Sequence, residues 1–353
     1  MASTVTASAT ALRLDCVNDV AMQGNGSYAS HSALQHEAML QALPLLKRAA
    51  EMASKTSGPL TVVEYGSAHG NNSIEPLEAI LSVAEASQVS ILLSDRPQND
   101  FNTLASIVGP WTEARQTGPS LFVGMMPLSF YRPVVPARSV SVGFSLSCLH
   151  HLERLPDTPE SIPAQARHDL GLFLRLRAAE TVADGCLVLS LVGRASSYES
   201  LSGPTRALVR AAADMVDAGL VPASVLAAFR VPVHQRTVSD VSTALDDVKD
   251  EWEALELREE AVFHPAHAEF QRRRDRGDQE ASRWYADTIM DWFMAVCAGY
   301  WLKAIRIGCP KGACIADELL VELTRRSKEV FLRHFRDEAT VCCYIHVLLR
   351  RLY

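Results

Sequence analysis

Short apolar runs alternate with helical patterns through the first half of this chain, and that alternation constrains the fold more than any other feature. The apolar runs occupy residues 60–65, 89–95, 121–124, 139–146 and 186–192. Between them, residues 72–86 and 168–182 place apolar side chains at helical spacing, and Asp184-Gly185 is interpreted as a helix stop. Strands that alternate with helices predict an α/β fold, with a largely parallel sheet covered by helices on both faces.

The pattern changes after Arg194, where helical segments dominate. Helices are predicted over residues 204–218, 222–229, 281–305 and 314–335. Two strand-like runs, 251–263 and 339–350, are predicted to be late strands of the same sheet. Three parts are expected. Residues 1–20 form a flexible tail, and residues 21–195 form a core that also includes the late strands. Residues 196–250 and 264–338 form a helical cap over the carboxyl end of the sheet.

Charge and composition disfavour several classes of protein. The chain has 34 Lys and Arg against 41 Asp and Glu, and a net charge of −7 does not suit sequence-independent binding to nucleic acid. The arginine run at 272–276 is mixed with acids and is interpreted as a solvated helix end or loop. No stretch of about 20 apolar residues is present, so no membrane span is expected.

The eight cysteines include no Cys-x-x-Cys pair, which disfavours a zinc site, and no metal is expected. Several of them lie in apolar surroundings, where reduced cysteine behaves as a small hydrophobic residue. The first dozen residues lack the positive segment and long apolar core of a signal peptide. A reducing, cytoplasmic location is the expectation, with a weak transit peptide as the alternative.

Acidic residues end the first two predicted strands. Glu64 precedes a turn bracketed by Gly66 and Gly70, where backbone N–H groups and a helix start can approach a ligand closely. Asp95 ends the next strand, 31 residues later, where a carboxylate can accept hydrogen bonds from both hydroxyls of a ribose. These features favour a nucleotide site. An ordinary glycine turn and a helix-capping Asp95 remain the alternatives.

Four blocks of the sequence match motifs of one enzyme family. Residues 26–35 resemble Ser-Tyr-x-x-Asn-Ser-x-x-Gln, 94–103 resemble Asn-Asp-Leu-Pro-x-Asn-Asp-Phe-Asn, 127–131 resemble Pro-Gly-Ser-Phe-Tyr, and 147–152 resemble Tyr-Ser-Leu-His-Trp-Leu. Their order and spacing are similar to those of the plant-type carboxyl methyltransferases, which include salicylate, jasmonate and benzoate methyltransferases and caffeine synthases. With further matches at Phe173-Leu174, at 177–180 and at 186–194, the resemblance covers nearly the whole chain. The resemblance implies a Rossmann-like class I methyltransferase sheet with an α-helical cap, and S-adenosyl-L-methionine as cofactor.

The resemblance also implies a role for each matched position. The methionine part of the cofactor would lie near Ser27, Tyr28, Glu64, Gly66 and Asn72. Asp95 would hold the ribose, with Arg96 beside the adenine and with Ser129 and Phe130 at the adenine end. The residues implied for binding the acceptor are Gln23, Gln35, Ser147 and His151. Those implied for catalysis are Gln35, His150 and His151.

The acceptor side departs from the family pattern. His151 stands where the family has a tryptophan that donates to the acceptor carboxylate, and Ser147 stands where it has a tyrosine. His31 replaces an asparagine, Gln23 replaces the lysine of some members, and the first-strand acid is Glu64 instead of an aspartate. The loss of aromatic bulk indicates a microbial or divergent member of the family with a different acceptor.

The chemistry of a carboxylate acceptor calls for neutral hydrogen-bond donors. A carboxylate is already ionised at neutral pH, so it needs alignment with the methyl group and no general base. Gln35, His150 and His151 are donors of this kind. Because adjacent residues on a strand point to opposite faces, we expect only one of the two histidines to face the site.

The predicted function is S-adenosylmethionine-dependent methylation of the carboxylate of a small organic acid. One alternative is methylation of a nitrogen or a phenol, where a histidine could take the proton. Another is a catalytically idle, ligand-binding paralogue. The missing Gly-x-Gly-x-x-Gly disfavours a dinucleotide oxidoreductase. The expected partners are a small-molecule acceptor and, as is common in the family, a second copy in a homodimer.

Overall fold

A seven-stranded sheet forms the centre of the structure, a computed structural model that describes Val20 and residues 32–53, 59–309 and 315–353. Its strands are β1 (Leu60–Tyr65), β2 (Gln88–Asp95), β3 (Ser120–Pro127), β4 (Val140–Leu146), β5 (Thr181–Gly193), β6 (Trp252–Phe263) and β7 (Val341–Arg351). They lie in the order β3-β2-β1-β4-β5-β7-β6, and β7 runs antiparallel to both of its neighbours while the other pairs are parallel. The predicted α/β fold with a largely parallel sheet is confirmed.

Helices cover both faces of the sheet. In chain order, those of the described residues are α1 (Ala33–Ala53), α2 (Ile74–Leu81), α3 (Phe101–Glu113), α4 (Ile162–Glu180), α5 (Ser202–Asp217), α6 (Ala223–Ala228), α7 (Val238–Asp246), α8 (Pro265–Asp275), α9 (Ala281–Gly308) and α10 (Ala316–His334). Successive side chains of β1 point to opposite faces, so Val62 packs with α1, α2 and α3 while Val63 packs with α4 and α7. The sheet therefore has a hydrophobic core on each face.

The other helices bury their apolar side chains mainly against one another. Helices α5, α6, α8, α9 and α10 share a hydrophobic cluster in which the fully buried Trp301 is the largest side chain. The arginine run ends α8, where Arg272 and Arg273 both pair with Glu269. No helix in the described part of the chain combines the length and apolar character that crossing a membrane requires.

The predicted helix stop at Asp184-Gly185 is wrong. Helix α4 ends at Glu180 and β5 begins at the next residue, so both residues lie inside β5. The pairing of β5 with β4 shifts register here, and Asp184 adopts a φ of +61°. A left-handed residue followed by glycine serves a bulge as well as a helix end, and the sequence alone does not distinguish the two.

The described cysteines include both free thiols and a disulfide-bonded residue. Cys148, Cys186, Cys297, Cys342 and Cys343 are free thiols, and all but Cys148 are buried. Cys309 is disulfide-bonded, which the sequence analysis did not predict. A disulfide requires two Cα atoms within about 7 Å of each other, and a linear sequence does not report that distance.

A buried ion pair joins α4 to the sheet and to the segment that follows β3. Arg177 donates to the Glu180 carboxylate at 3.0 Å and to the backbone carbonyl of Phe130 at 2.8 Å. Glu180 also accepts from the Tyr65 hydroxyl at 2.9 Å and from the backbone N–H of Val134 at 2.6 Å. The Arg177 and Glu180 side chains are 0% and 3% exposed, so each charge depends on the other for compensation.

Replacing Arg177 by methionine should destabilise the protein strongly, because it leaves the Glu180 charge buried without its cation. We expect Arg177→Met to lower the free energy of unfolding by about 3–5 kcal/mol, measured by urea denaturation. Arg175→Met, on the exposed side of the same helix, is the matched control and should change stability little. Adding Glu180→Gln should recover part of the loss; equal stability of both arginine variants would contradict the interpretation.

Candidate active site

The candidate site lies at the carboxyl ends of β1 and β4, where the strand order reverses direction, which is the usual ligand position in such sheets. Two adjoining cavities, of about 340 and 50 Å³, occupy this edge. Residues from the loops after β1 and β4 and from α1 line both of them: Gln35, Gly66, Ala68, Leu146 and Ser147.

The glycine turn after β1 forms one wall. Gly66 has a φ of +97°, and Gly70 has a φ of +87°, in a region that residues with a Cβ rarely adopt. A Cβ on Gly66 would also collide with the Cys148 sulfur. The backbone N–H groups of Gly66 and Ser67 donate to Ser94 on β2, at 2.8 and 3.1 Å, which fixes the turn against the neighbouring strand. Glycine is therefore required at Gly66 both by its backbone conformation and by the closeness of Cys148.

Buried polar atoms beside this turn lack a hydrogen-bond partner among the described residues. They include Oε2 of Glu64 and the hydroxyl oxygen of Ser67. Glu64 is 5% exposed, and burial raises the pKa of its carboxyl to about 8. A hydrogen bond with the Ser73 side chain acts in the opposite direction, and the Asp95 carboxylate raises the pKa. An unpartnered buried polar group is costly, so this cluster fits a ligand that carries an ammonium group. Asn72 lines the same, smaller cavity.

Asp95 ends β2 and holds the glycine turn. Its two carboxylate oxygens accept from the backbone N–H groups of Ala68 and Arg96, each at 2.7 Å. Burial raises the pKa of this carboxyl, whereas these hydrogen bonds act in the opposite direction. The alternative that Asp95 caps a helix is wrong, because Asp100 is the N-cap of α3. Each oxygen keeps a second lone pair, and Asp95 lines the larger cavity, so the carboxylate can accept from ligand hydroxyls.

The residues expected at the adenine end line the larger cavity together with Asp95. They are Arg96, Ser129 and Phe130. The Phe130 ring packs edge-on against Tyr131 and Phe173, with ring centroids 4.7 and 5.8 Å away. Tyr131 also lines the cavity, and its hydroxyl donates to the backbone carbonyl of His151 at 2.8 Å. Tyr131 was not assigned a role from the sequence, although it belongs to the matched Ser-Phe-Tyr block.

The expected acceptor residues also line the larger cavity. Gln35, Ser147, His150 and His151 all line it, and so does Val296 of α9. The expectation that only one histidine faces the site is wrong, because the chain has left the strand before reaching them. Strand β4 ends at Leu146, Ser147 has a φ of +60°, and the turn brings both rings to the cavity with centroids 4.3 Å apart.

Both histidines are uncharged. Burial, together with the nearby Arg236 guanidinium, lowers the pKa of His150 to about 3. The pKa of His151 lies well below its usual value because of burial first, then His150 and Arg96. Their Nδ1 atoms are buried and lack a hydrogen-bond partner within the described part of the chain. Two neutral rings of this kind can donate hydrogen bonds and are poor bases at neutral pH.

Two further residues hold the acceptor side, and the sequence analysis missed both. The buried Arg236 donates to the carbonyls of Leu149 and Ala166, at 2.6 and 2.7 Å, and so fixes the histidine turn. Trp292 of α9 donates its indole N–H to Oε1 of Gln35 at 2.9 Å. Trp292 lies 257 residues from Gln35, and no local motif connects them.

Three of the expected site residues fall outside the described part of the chain, and they stay predictions. They are Gln23, Ser27 and Tyr28. Within residues 32–53, 59–309 and 315–353, no group of three or more His, Cys, Asp or Glu side chains is arranged to hold a metal ion.

Comparison with known proteins identifies the class of enzyme. The sequence profile of a family described as "SAM dependent carboxyl methyltransferase" matches residues 18–162 and 160–290. Methyltransferase FUS9 of Gibberella moniliformis is 46% identical, and methyltransferase LUC1 of a Fusarium species is 44% identical; each match covers 95% of this chain and 98% of the relative. A solved loganic acid methyltransferase with S-adenosylhomocysteine has the same fold, with a TM-score of 0.73, 16% identity, and coverage of 95% and 99%.

The chain belongs to the S-adenosylmethionine-dependent carboxyl methyltransferase family. Its cofactor is S-adenosylmethionine, and the reaction of the family is transfer of a methyl group to the carboxylate of a small organic acid. The family, the fold class, the cofactor and the reaction class predicted from the sequence are confirmed. The unpartnered groups at Glu64 and Ser67 and the acceptor oxygens of Asp95 suit the methionine and ribose parts of that cofactor.

Binding of S-adenosylhomocysteine should release a proton from Glu64. With a pKa of about 8, raised by burial above the ordinary 4.5, this carboxyl holds a proton at neutral pH and must lose it to accept an ammonium group. Affinity should therefore rise from pH 6 to pH 8, by up to about tenfold per pH unit. Calorimetry in buffers of different ionisation enthalpy measures the released proton.

Glu64→Gln should make that affinity independent of pH over the same range and should abolish the proton release. Glu75→Gln, at an exposed position in the first turn of α2, is the control and should behave as the wild type. Proton release that persists in Glu64→Gln would assign the titration to another group.

Proposed function

We propose that the acceptor carboxylate binds between Gln35 and His151, and that the product is the methyl ester of a small organic acid. The observation that carries the proposal is that Gln35 and His151 line the same cavity as Asp95. Neutral donors from α1 and from the turn after β4 thus face one space. In this assignment Ser147 and Gln23 also border the acceptor.

The donor half of the site is assigned to cofactor binding. S-adenosylmethionine, when bound, supplies a methyl group on a positively charged sulfur. Glu64 would accept from its ammonium group, and Asp95 would accept from the ribose hydroxyls with its remaining lone pairs. Arg96, Ser129 and Phe130 would enclose the adenine. Ser27, Tyr28 and Asn72 are proposed near the methionine part, on the basis of the motif in residues 26–35 and the smaller cavity.

The acceptor half is assigned to orientation of the carboxylate. The carboxylate is ionised at neutral pH, so the enzyme has to align it and exclude water. Neutral donors suit this task because a cation in close contact would reduce the nucleophilicity of the carboxylate oxygen. The lowered pKa values of His150 and His151 support such a role. They disfavour the alternative with a nitrogen or phenol acceptor, which requires a base that titrates near neutral pH.

The acceptor pocket is proposed to be shaped by the helical segments 196–250 and 264–338, acting as a cap. Val296 of α9 lines the cavity, and Trp292 of the same helix contacts Gln35, which supports this assignment. Ser147 and His151 are smaller than the tyrosine and tryptophan of the plant-type motif. We propose that the space they leave accommodates a bulkier acid than salicylate.

Assembly and location complete the proposal. We propose a homodimer on the basis of the family resemblance and a cytoplasmic location on the basis of the composition of the chain. Size-exclusion chromatography with light scattering tests the first, since a dimer has twice the 38.6 kDa mass of the chain. Fractionation of the producing cells tests the second.

The purified protein should methylate a monocarboxylic acid with labelled S-adenosylmethionine, without added metal. The test panel contains benzoate, cinnamate and octanoate, which share a carboxylate and differ in the body attached to it. The label should be released by mild alkali, as a methyl ester requires. At saturating substrates the rate should stay level from pH 6 to pH 8, because both histidines remain neutral. A label that is stable to alkali, or a rate that follows a titration near pH 6.5, would contradict the methyl ester. Either result would support methylation of a nitrogen or a phenol with a histidine as the base.

The substitution His151→Phe keeps a ring at this position but removes the hydrogen-bond donor. The acceptor carboxylate should therefore lose its alignment while keeping most of its contact with the pocket. We expect kcat to fall by about tenfold or more, the effect of one hydrogen bond to a charged group, with a smaller change in KM. His150→Phe is the comparison and should lose less. Wild-type turnover by His151→Phe, together with a large loss in His150→Phe, would assign the donor role to His150.

A further inference from the structure

A hydrogen bond from the helical cap reaches the proposed acceptor donor. Trp292 of α9 is 4% exposed, and its indole Nε1 lies 2.9 Å from Oε1 of Gln35 on α1. The Gln35 side chain borders both cavities, so its amide stands between the cap and the site. The contact joins two segments that are far apart in the chain.

The chemistry of an indole determines which way that amide points. An indole N–H can only donate, so the atom facing Trp292 must be the amide oxygen, and the amide NH₂ group is directed elsewhere. We infer that Trp292 is a positioning residue, which fixes the Gln35 amide with its NH₂ toward the acceptor and thereby selects a carboxylate over hydrogen-bond-donating groups. This inference rests on the proposed function, in which Gln35 contacts the acceptor.

Trp292 is itself held firmly. It packs in a buried cluster with Leu34 of α1 and Tyr344 of β7, where the cap meets the sheet. His264 contacts the indole edge-on, with ring centroids 5.2 Å apart. Nδ1 of His264 accepts from the backbone N–H of Ala266 at 3.2 Å, and burial lowers its pKa to about 4, so this ring stays neutral at physiological pH. The indole therefore has one orientation, and it imposes one on Gln35.

The fixed amide discriminates between acceptors by the direction of their hydrogen bonds. A carboxylate oxygen accepts from the Gln35 NH₂ group. A primary carboxamide of the same shape can place its own NH₂ there, and two donors then face each other without a partner. The carboxamide binds more weakly only if the Gln35 amide group cannot rotate by 180°. Without the Trp292 N–H, that rotation exchanges the oxygen and the nitrogen freely.

The test measures binding of an acid and of its carboxamide, in the presence of S-adenosylhomocysteine, by calorimetry. The candidate pairs are benzoate with benzamide, cinnamate with cinnamamide, and octanoate with octanamide. The pair whose acid the wild type methylates fastest is used for all variants. We expect the wild type to prefer the acid by about tenfold or more. Trp292→Phe should narrow that preference severalfold, while the affinity for S-adenosylhomocysteine stays within about twofold of wild type.

Gln35→Glu provides the second variant, because it keeps an oxygen for Trp292 and replaces the amide donor by an acceptor. It should reverse the preference, so that the carboxamide binds more tightly than the acid. Trp284→Phe, on the same helix and stacked against Arg273, is the matched control and should retain the wild-type preference.

An unchanged preference in Trp292→Phe would overturn the inference, and so would a parallel loss of S-adenosylhomocysteine affinity, which indicates a general structural effect. The proposed function fails in a different way, since then the wild type methylates none of the acids. A wild type that methylates an acid while Trp292→Phe keeps its preference contradicts the positioning role alone.

Discussion

The ion pair of Arg177 and Glu180 is the interaction on which the donor half of the site depends. Two opposite charges lie almost without exposure between α4 and the sheet, where each is tolerable only with the other. Through Glu180 the pair holds the Tyr65 hydroxyl, one residue before Gly66, and through Arg177 it holds the carbonyl of Phe130. Gly66 and Phe130 line the same cavity, so one buried ion pair fixes the distance between two of its walls.

The acceptor half is assembled differently, from segments that meet only in the folded protein. Gln35 comes from α1, the histidine turn follows β4, and Trp292 comes from α9. The histidine turn is held by the buried Arg236 and by backbone pairing of His151 with a distant segment. Each group at this end has a partner remote in sequence. The geometry of the acceptor half therefore depends on how the cap packs against the sheet.

This difference explains how much the sequence alone could predict. The fold was predictable, and so was the polar edge of the sheet where the cavities lie, because strand ends leave local signals. Examples are Glu64 before a glycine turn and Asp95 at the end of the next strand. The helix stop at Asp184 was wrong since the same dipeptide serves a bulge inside β5. Trp292 and Arg236 gave no signal, because a buried side chain that acts on a distant partner looks like any core residue in the sequence.

The separate hydrophobic cluster of the cap has a consequence for how such an enzyme can change. Trp301 and its neighbours on α5, α6, α8, α9 and α10 form a core distinct from the two cores of the sheet. Substitutions on the cavity side of α9, near Val296, can be absorbed by repacking among those helices. The strand edge that holds the methyl donor is then left untouched. A lineage can in this way diversify the acids it recognises while inheriting an intact cofactor site.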